Sequence, residues 1–214
     1  MKKKFLAHYR AKVQLALSPA VSDEEYENVH FREHRYTPEG MRSITFRKCL
    51  FSRCDFSEGE LKKVRFEQCV FADCNLNVAK LTDSQFDNTM FIRCRLSGID
   101  WSACNTSMGF TVQCYESDLS YNIFSSMDIS ESKFIKCQFV EALFSEVKAR
   151  KCKFRRSDFT RSQFQKSVLI GADFRKAKNY LINPHENICK NAKFSYPEIL
   201  GLLYPFGISE EDIE

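Results

Sequence analysis

The chain has 214 residues, enough for one sizeable domain. Its 43% hydrophobic and 28% charged residues are a globular composition, and a net charge of +4 is too mild to mark a general polyanion binder. No apolar run approaches the ~18 residues of a membrane span, so a spanning helix is excluded and no membrane partner is expected. Two counts stand out, 20 Phe against 7 Gly, and 10 Cys.

The N-terminal stretch MKKKFLAHYRAKVQLAL is broken by His8, Arg10, Lys12 and Gln14. It therefore reads as no secretion signal, which implies a cytoplasmic protein with free thiols. Residues 1–18 are basic and modestly amphipathic. They predict a capping helix within an N-terminal segment 1–25, ended by Pro19 and the acidic run Asp23–Glu25. A membrane-surface helix is the alternative.

From Phe46 the chain falls into a comb of period five. Phe46, Phe51, Phe56, Leu61, Phe66, Phe71, Leu76, Leu81, Phe86, Phe91, Leu96 and Trp101 are all large and apolar. A second comb runs from Leu119 to Phe174 and includes Phe124, Phe144 and Phe164. Two residues before each comb position stands a mostly small, uncharged residue. Five residues match neither the 3.6-residue helical period nor the two-residue strand period. A chain that turns about 90° after each unit resolves this: four units close a square coil of 20 residues, and coils stack at ~4.8 Å. Cys54, Cys74 and Cys94 stand 20 apart, as do Phe46, Phe66 and Phe86, and Phe51, Phe71 and Phe91. Most of the cysteines occupy the small inward place. They read as buried hydrophobes rather than metal ligands, because CxxxxC lacks zinc-knuckle spacing and has no nearby histidine. No cofactor is expected.

Between Trp101 and Leu119 the comb is lost over 105–116, around Gly109 and Phe110. This break reads either as a two-residue deletion absorbed by a bulge or as a hinge or contact loop. The comb region spans 26–178. The tail, 179–214, differs: Ser195 and Glu198 have capping-box spacing, and Pro197 suits a first helical turn. Residues 197–204 then predict a short apolar helix with Ile199, Leu200, Leu202 and Leu203. Its role is to cap the last coil and, in the alternative, to pack also on a second copy.

Charge is segregated. Residues 148–178 hold eleven Lys or Arg and two acids, whereas 73–146 hold ten acids and five bases. Lys136, Arg156 and Lys176 are 20 apart, as are Arg155 and Arg175, so they form columns. These are either a solvated face or a phosphate- or acid-binding surface for an acidic partner or an anionic surface; direct nucleic-acid binding is not expected. Leu50, Val70 and Met90 also line up, as outward apolar residues. They form a contact strip, or a strip over which a terminus folds back. The four histidines, His8, His30, His34 and His185, lie outside the regular coils and are not clustered. No nucleophile–base arrangement or phosphate-cradling motif appears, so an enzyme is not expected.

Units such as CDFSE (54–58), CNLNV (74–78), SDLSY (117–121), SDFTR (157–161) and ADFRK (172–176) resemble the pentapeptide-repeat consensus A-(D/N)-L-x-x. The resemblance implies an all-β fold, a right-handed quadrilateral β-helix with short terminal helices. Two blocks around a Gly-containing break, and a tail ending LLYPFGI, resemble the Qnr quinolone-resistance proteins and the microcin-immunity protein McbG. That subgroup implies a homodimer joined at its C-terminal end. It also implies binding to DNA gyrase or topoisomerase IV through a duplex-like acidic rod. The basic stretch at 148–178 departs from that pattern.

Overall fold

A computed structural model describes residues 14–16, 18, 20–36 and 40–212. The chain is an all-β parallel solenoid of about eight coils with almost no helix. Each five-residue unit places one large residue inward, and four units make one turn. Wall 1 carries Tyr26, Phe46, Phe66 and Phe86; wall 2 carries Phe31, Phe51, Phe71 and Phe91. Wall 3 carries Tyr36, Phe56, Leu76 and Leu96, and wall 4 carries Met41, Leu61, Leu81 and Trp101. These inward residues of walls 2 to 4 are buried.

Equivalent residues pair in parallel at an offset of 20, such as Phe46 with Phe66 and Phe66 with Phe86. Rings therefore pile in register: Phe51 and Phe71 stack at 4.6 Å, Phe71 and Phe91 at 4.9 Å, Phe124 and Phe144 at 4.9 Å. Neighbouring walls add edge-to-face contacts, such as Phe66 with Phe71 at 5.2 Å. Both arrangements suit the ring quadrupole.

The corner after each inward residue is made by a residue of positive φ, mostly without glycine: Lys48, Arg53, Glu58, Lys63, Gln68 and so on every fifth place. The backbone N–H of such a corner bonds the next coil, as Lys48 N–H does the Glu67 carbonyl at 2.9 Å. The ladder thus holds a conformation that L-residues otherwise avoid. Val78 is the extreme case, a β-branched residue at φ 57°. Its side chain is mostly exposed. Val78→Gly should raise stability by ~0.5–1 kcal/mol, the left-handed penalty removed outweighing the added chain entropy. A urea midpoint that falls instead would show the ladder alone dictates this corner.

The small inward place does more than make room. Its side chain bridges two groups of the preceding coil. Ser157 Oγ donates to the Phe134 carbonyl at 3.1 Å and accepts the Cys137 N–H at 3.0 Å. The thiols of Cys54, Cys74 and Cys94 donate in the same way to the Phe31, Phe51 and Phe71 carbonyls. The cysteines are free thiols, and burial pushes those of Cys114 and Cys152 well up. The outward Asp before the inward residue also has a local task. Asp55, Asp118 and Asp158 each accept the backbone N–H and the hydroxyl of Ser57, Ser120 and Thr160 two residues on. Such turns restrain the unit.

The break is a three-residue insertion, not a deletion of two. Thr89 pairs with Val112 and Phe91 with Cys114, an offset of 23, so wall 2 continues unbroken through the gap. Cys114 accordingly stands at a phenylalanine place, between Phe91 and Phe134. The additional residues are taken up on wall 1, where Gly109 adopts φ 96° and Met108 is exposed. Phe110 is buried 5.7 Å from Trp101 and refills the core there.

At both ends the structure differs from expectation. The capping helix expected over 1–18 lies mostly outside the described residues. Gln14–Leu15 is a strand, paired with Val29 and His30. The coils also run on past residue 178: Asp173 pairs with Lys193, and Phe194 stacks on Phe174 at 5.5 Å. The tail beyond forms short 3-10 turns, Glu198–Leu202 and Tyr204–Phe206, in place of one helix. The capping box is not made, because the Ser195 hydroxyl accepts the Lys176 N–H of the preceding coil. His30 and His34, expected outside the coils, lie within the first. His30 bonds Ser52 at 2.7 Å, and His34 packs edge-on to Phe31 and Tyr36.

Candidate functional site

The interior is filled, so function belongs to the outer walls. All nine core residues expected from the comb, Phe46, Phe51, Phe66, Phe71, Phe86, Phe91, Phe124, Phe144 and Phe164, are buried. Among the described residues no three His, Cys, Asp or Glu side chains meet as metal ligands would. No described helix is long and apolar enough to cross a membrane.

The corner between walls 2 and 3 carries a column of charges. Glu33 pairs with Arg53 at 2.9 Å, Asp73 with Arg93 at 2.6 Å, and Glu116 with Lys136 at 3.2 Å. Above them stand Arg156 and Lys176, exposed and with no acidic partner among the described residues. The column is thus self-neutralising in its lower three-quarters and purely basic at its top. Wall 2 beside it carries Lys153 and Lys193, also exposed.

Sequence columns do not distinguish these bases from their neighbours; the ion pairs do. Arg175 is committed to the fold. Its guanidinium grips both oxygens of Asp173, at 2.9 and 2.8 Å, and Arg155 approaches the same carboxylate at 3.6 Å. Burial raises the Asp173 pKa, but the hydrogen bonds and charges of Arg175 and Arg155 outweigh it and hold the carboxyl below the usual range. A depressed folded-state pKa stabilises above the unfolded value near ~4, and that stability is lost as pH falls through the folded value. Asp173→Asn should therefore flatten the acid limb of the stability–pH profile below about pH 4. An acid limb identical to that of the parent protein would remove Asp173 from the account.

The opposite side carries both signs, with Lys63, Lys80, Lys148 and Lys166 exposed among its acids. Asp83 and Glu146 stand at the corner of walls 4 and 1, Asp87 and Asp128 on wall 1, and Asp100 on wall 4. None has a basic partner among the described residues. A concavity of about 550 Å³ on wall 1 is lined by Glu25, Arg47, Lys63, Arg65 and Asp83, among others. Its Arg47 is spent between Glu25 at 2.9 Å and Glu67 at 3.0 Å.

The expected apolar strip is not exposed. Leu50 and Val70 are buried and Met90 half-buried, on the outer face of wall 2. On wall 4, Ile123 stays partly open beside half-buried Leu143. At the C-terminal end Leu202 packs on the last coil, Leu200 and Leu203 are half-buried, and Ile199 is 40% exposed. Leu181, Tyr204, Phe206 and Ile208 add exposed apolar surface there. Sequence reasoning missed these four, although the apolar run after Pro205 signalled the last two.

Two family descriptions match this repeat. Pentapeptide repeat region covers residues 44–109, and pentapeptide repeats (8 copies) covers 137–175. The chain is a pentapeptide-repeat protein. Pentapeptide-repeat coils match those of a trypsin-treated form of QnrB1, a plasmid-mediated fluoroquinolone resistance protein. That match has TM-score 0.64 at 14% identity and covers 90% of this chain and 99% of that one. HetL, a pentapeptide-repeat protein involved in heterocyst differentiation regulation from the cyanobacterium Nostoc sp., has TM-score 0.44 at 14% identity, covering 89% and 93%. Comparison with curated protein sequences finds no match.

Proposed function

We propose that this pentapeptide-repeat protein is a non-catalytic, cytoplasmic binding protein of the Qnr and McbG kind, which engages DNA gyrase or topoisomerase IV and protects it from poisons. The observation that carries this reading is a solenoid of the QnrB1 fold whose outer walls expose carboxylates without basic partners among the described residues, Asp83, Asp87, Asp100, Asp128 and Glu146 among them. Exposed carboxylates held at fixed spacing along a rod offer an enzyme built for duplex DNA charges to engage. Supercoiling assays with gyrase and ciprofloxacin, or with a microcin poison, test it directly. Rescue by the purified protein is expected, and no rescue at micromolar protein overturns the reading.

The same reading includes a homodimer joined at the C-terminal end. It is supported by the exposed apolar residues Leu181, Ile199, Tyr204, Phe206 and Ile208, since the 3-10 turns there bury none of their own residues. Ile199→Asp with Phe206→Asp should yield a monomer in sedimentation. A second reading, a scaffold for an acidic protein partner, is favoured by the exposed bases Arg156, Lys176, Lys153 and Lys193.

A further inference from the structure

The top coil is two residues short at the corner of walls 3 and 4. One coil below, Asp158 on wall 3 and Gln163 on wall 4 are five residues apart; their partners above, Lys178 and Leu181, are three apart. The missing residues leave a recess over Thr160 and Arg161. The 3-10 turn Glu198–Leu202 and Tyr204 close part of it. The result is a cavity of about 400 Å³ lined by Arg161, Tyr180, Leu181, Glu198, Gly201 and Tyr204, among others. That size suits a small organic molecule. Gly201 lets the turn come close, because a Cβ there would stand 3.3 Å from the Tyr180 carbonyl oxygen.

Two groups at this site are unsatisfied. Tyr180 takes the inward place of the shortened unit, 5.7 Å from Phe174 and 5.6 Å from Phe194. It is 2% exposed, and its buried hydroxyl has no hydrogen-bond partner among the described residues. A buried hydroxyl is costly to leave unpaired. Burial first, and the Glu198 charge second, push its pKa up, so the hydroxyl lies within electrostatic reach of a residue that lines the cavity. Glu198 is the second group. Arg161 is neutralised by Glu141 at 2.6 Å, which leaves Glu198 as the one charge of the lining without an opposite partner among the described residues.

We propose that this cavity binds a small organic ammonium ion with an apolar body. Glu198 supplies the counter-charge, and the Tyr180 hydroxyl supplies a hydrogen-bond partner. Leu181 and Tyr204, 57% and 46% exposed, offer the body apolar surface, and the Tyr204 ring attracts a cation to its face. The site needs none of the carboxylates assigned to gyrase, so supercoiling rescue and ammonium binding are tested independently.

Isothermal titration of the full chain with phenethylammonium tests this, with neutral phenethyl alcohol and anionic phenylacetate as matched controls. The ammonium should bind with a Kd of roughly 1 mM or tighter, and neither control should bind comparably. Glu198→Gln keeps the shape and removes the charge; it should weaken binding about tenfold while the thermal midpoint hardly moves. Tyr180→Phe keeps the ring in the core and removes the hydroxyl, and it should weaken binding several-fold. No binding of the ammonium, equal binding of phenethyl alcohol, or full affinity in either variant overturns the proposal.

Discussion

Phe71→Ala should lower stability by ~3–5 kcal/mol. The ring is fully buried, stacked on Phe51 at 4.6 Å and Phe91 at 4.9 Å, with Phe56 and Phe66 edge-on to it. Its loss removes transfer energy and opens a cavity that four neighbours, each held by its own backbone ladder, cannot collapse to fill. The matched control is Phe194→Ala in the last coil. That ring is half-buried and stacks on one Phe, Phe174, so its loss should be markedly smaller. Because coils contact only their neighbours, the damage at Phe71 should stay local at first. Denaturant unfolding would then show an early transition for the coils before the 23-residue turn. Equal midpoint shifts for the two variants would contradict a linear, neighbour-coupled stack.

Lys153→Glu, Arg156→Glu, Lys176→Glu and Lys193→Glu together should weaken binding to an acidic oligo-glutamate probe at least about tenfold at low salt, and less at high salt. The set avoids Arg175, Arg155 and Lys136, whose partners are Asp173 and Glu116 in the fold. Reversal at Arg175 would set two carboxylates together beside the nearly buried Asp173 and confuse folding with binding. The four chosen residues are exposed and lack acidic partners among the described residues, so the thermal midpoint should hardly move. Unchanged affinity with an unchanged midpoint would leave the basic column a solvated face. It would also leave the exposed carboxylates Asp83, Asp87, Asp100, Asp128 and Glu146 as the groups to test against gyrase.

The ion pairs show why candidate sites were harder to read than the fold. Lys136, Arg156 and Lys176 are equivalent in sequence spacing, yet Lys136 is neutralised by Glu116 and the other two are not. A pairing between coils joins residues about twenty apart, and only the offset of the intervening turn says which acid meets which base. Leu50 was legible as outward from its place beside Phe51, and that placement is correct. Its burial was not legible, because outward position is a local property and cover is not.

What the order of residues settles here is whatever repeats every five places. A large apolar group, a small partner and three polar-tolerant sites admit one economical packing, four walls around a stacked aromatic axis. So the walls, the core and the inward place of most cysteines follow from spacing alone. Where the period lapses, spacing is silent. Eighteen residues from Trp101 to Leu119 fit two residues removed or three added, and hydrogen bonds between coils chose the latter by keeping wall 2 in register through Cys114. The same holds for Ser195, whose hydroxyl serves a neighbouring coil instead of its own turn. Contacts across coils outweigh local preference, because in a solenoid nearly every backbone group finds its partner one full turn away.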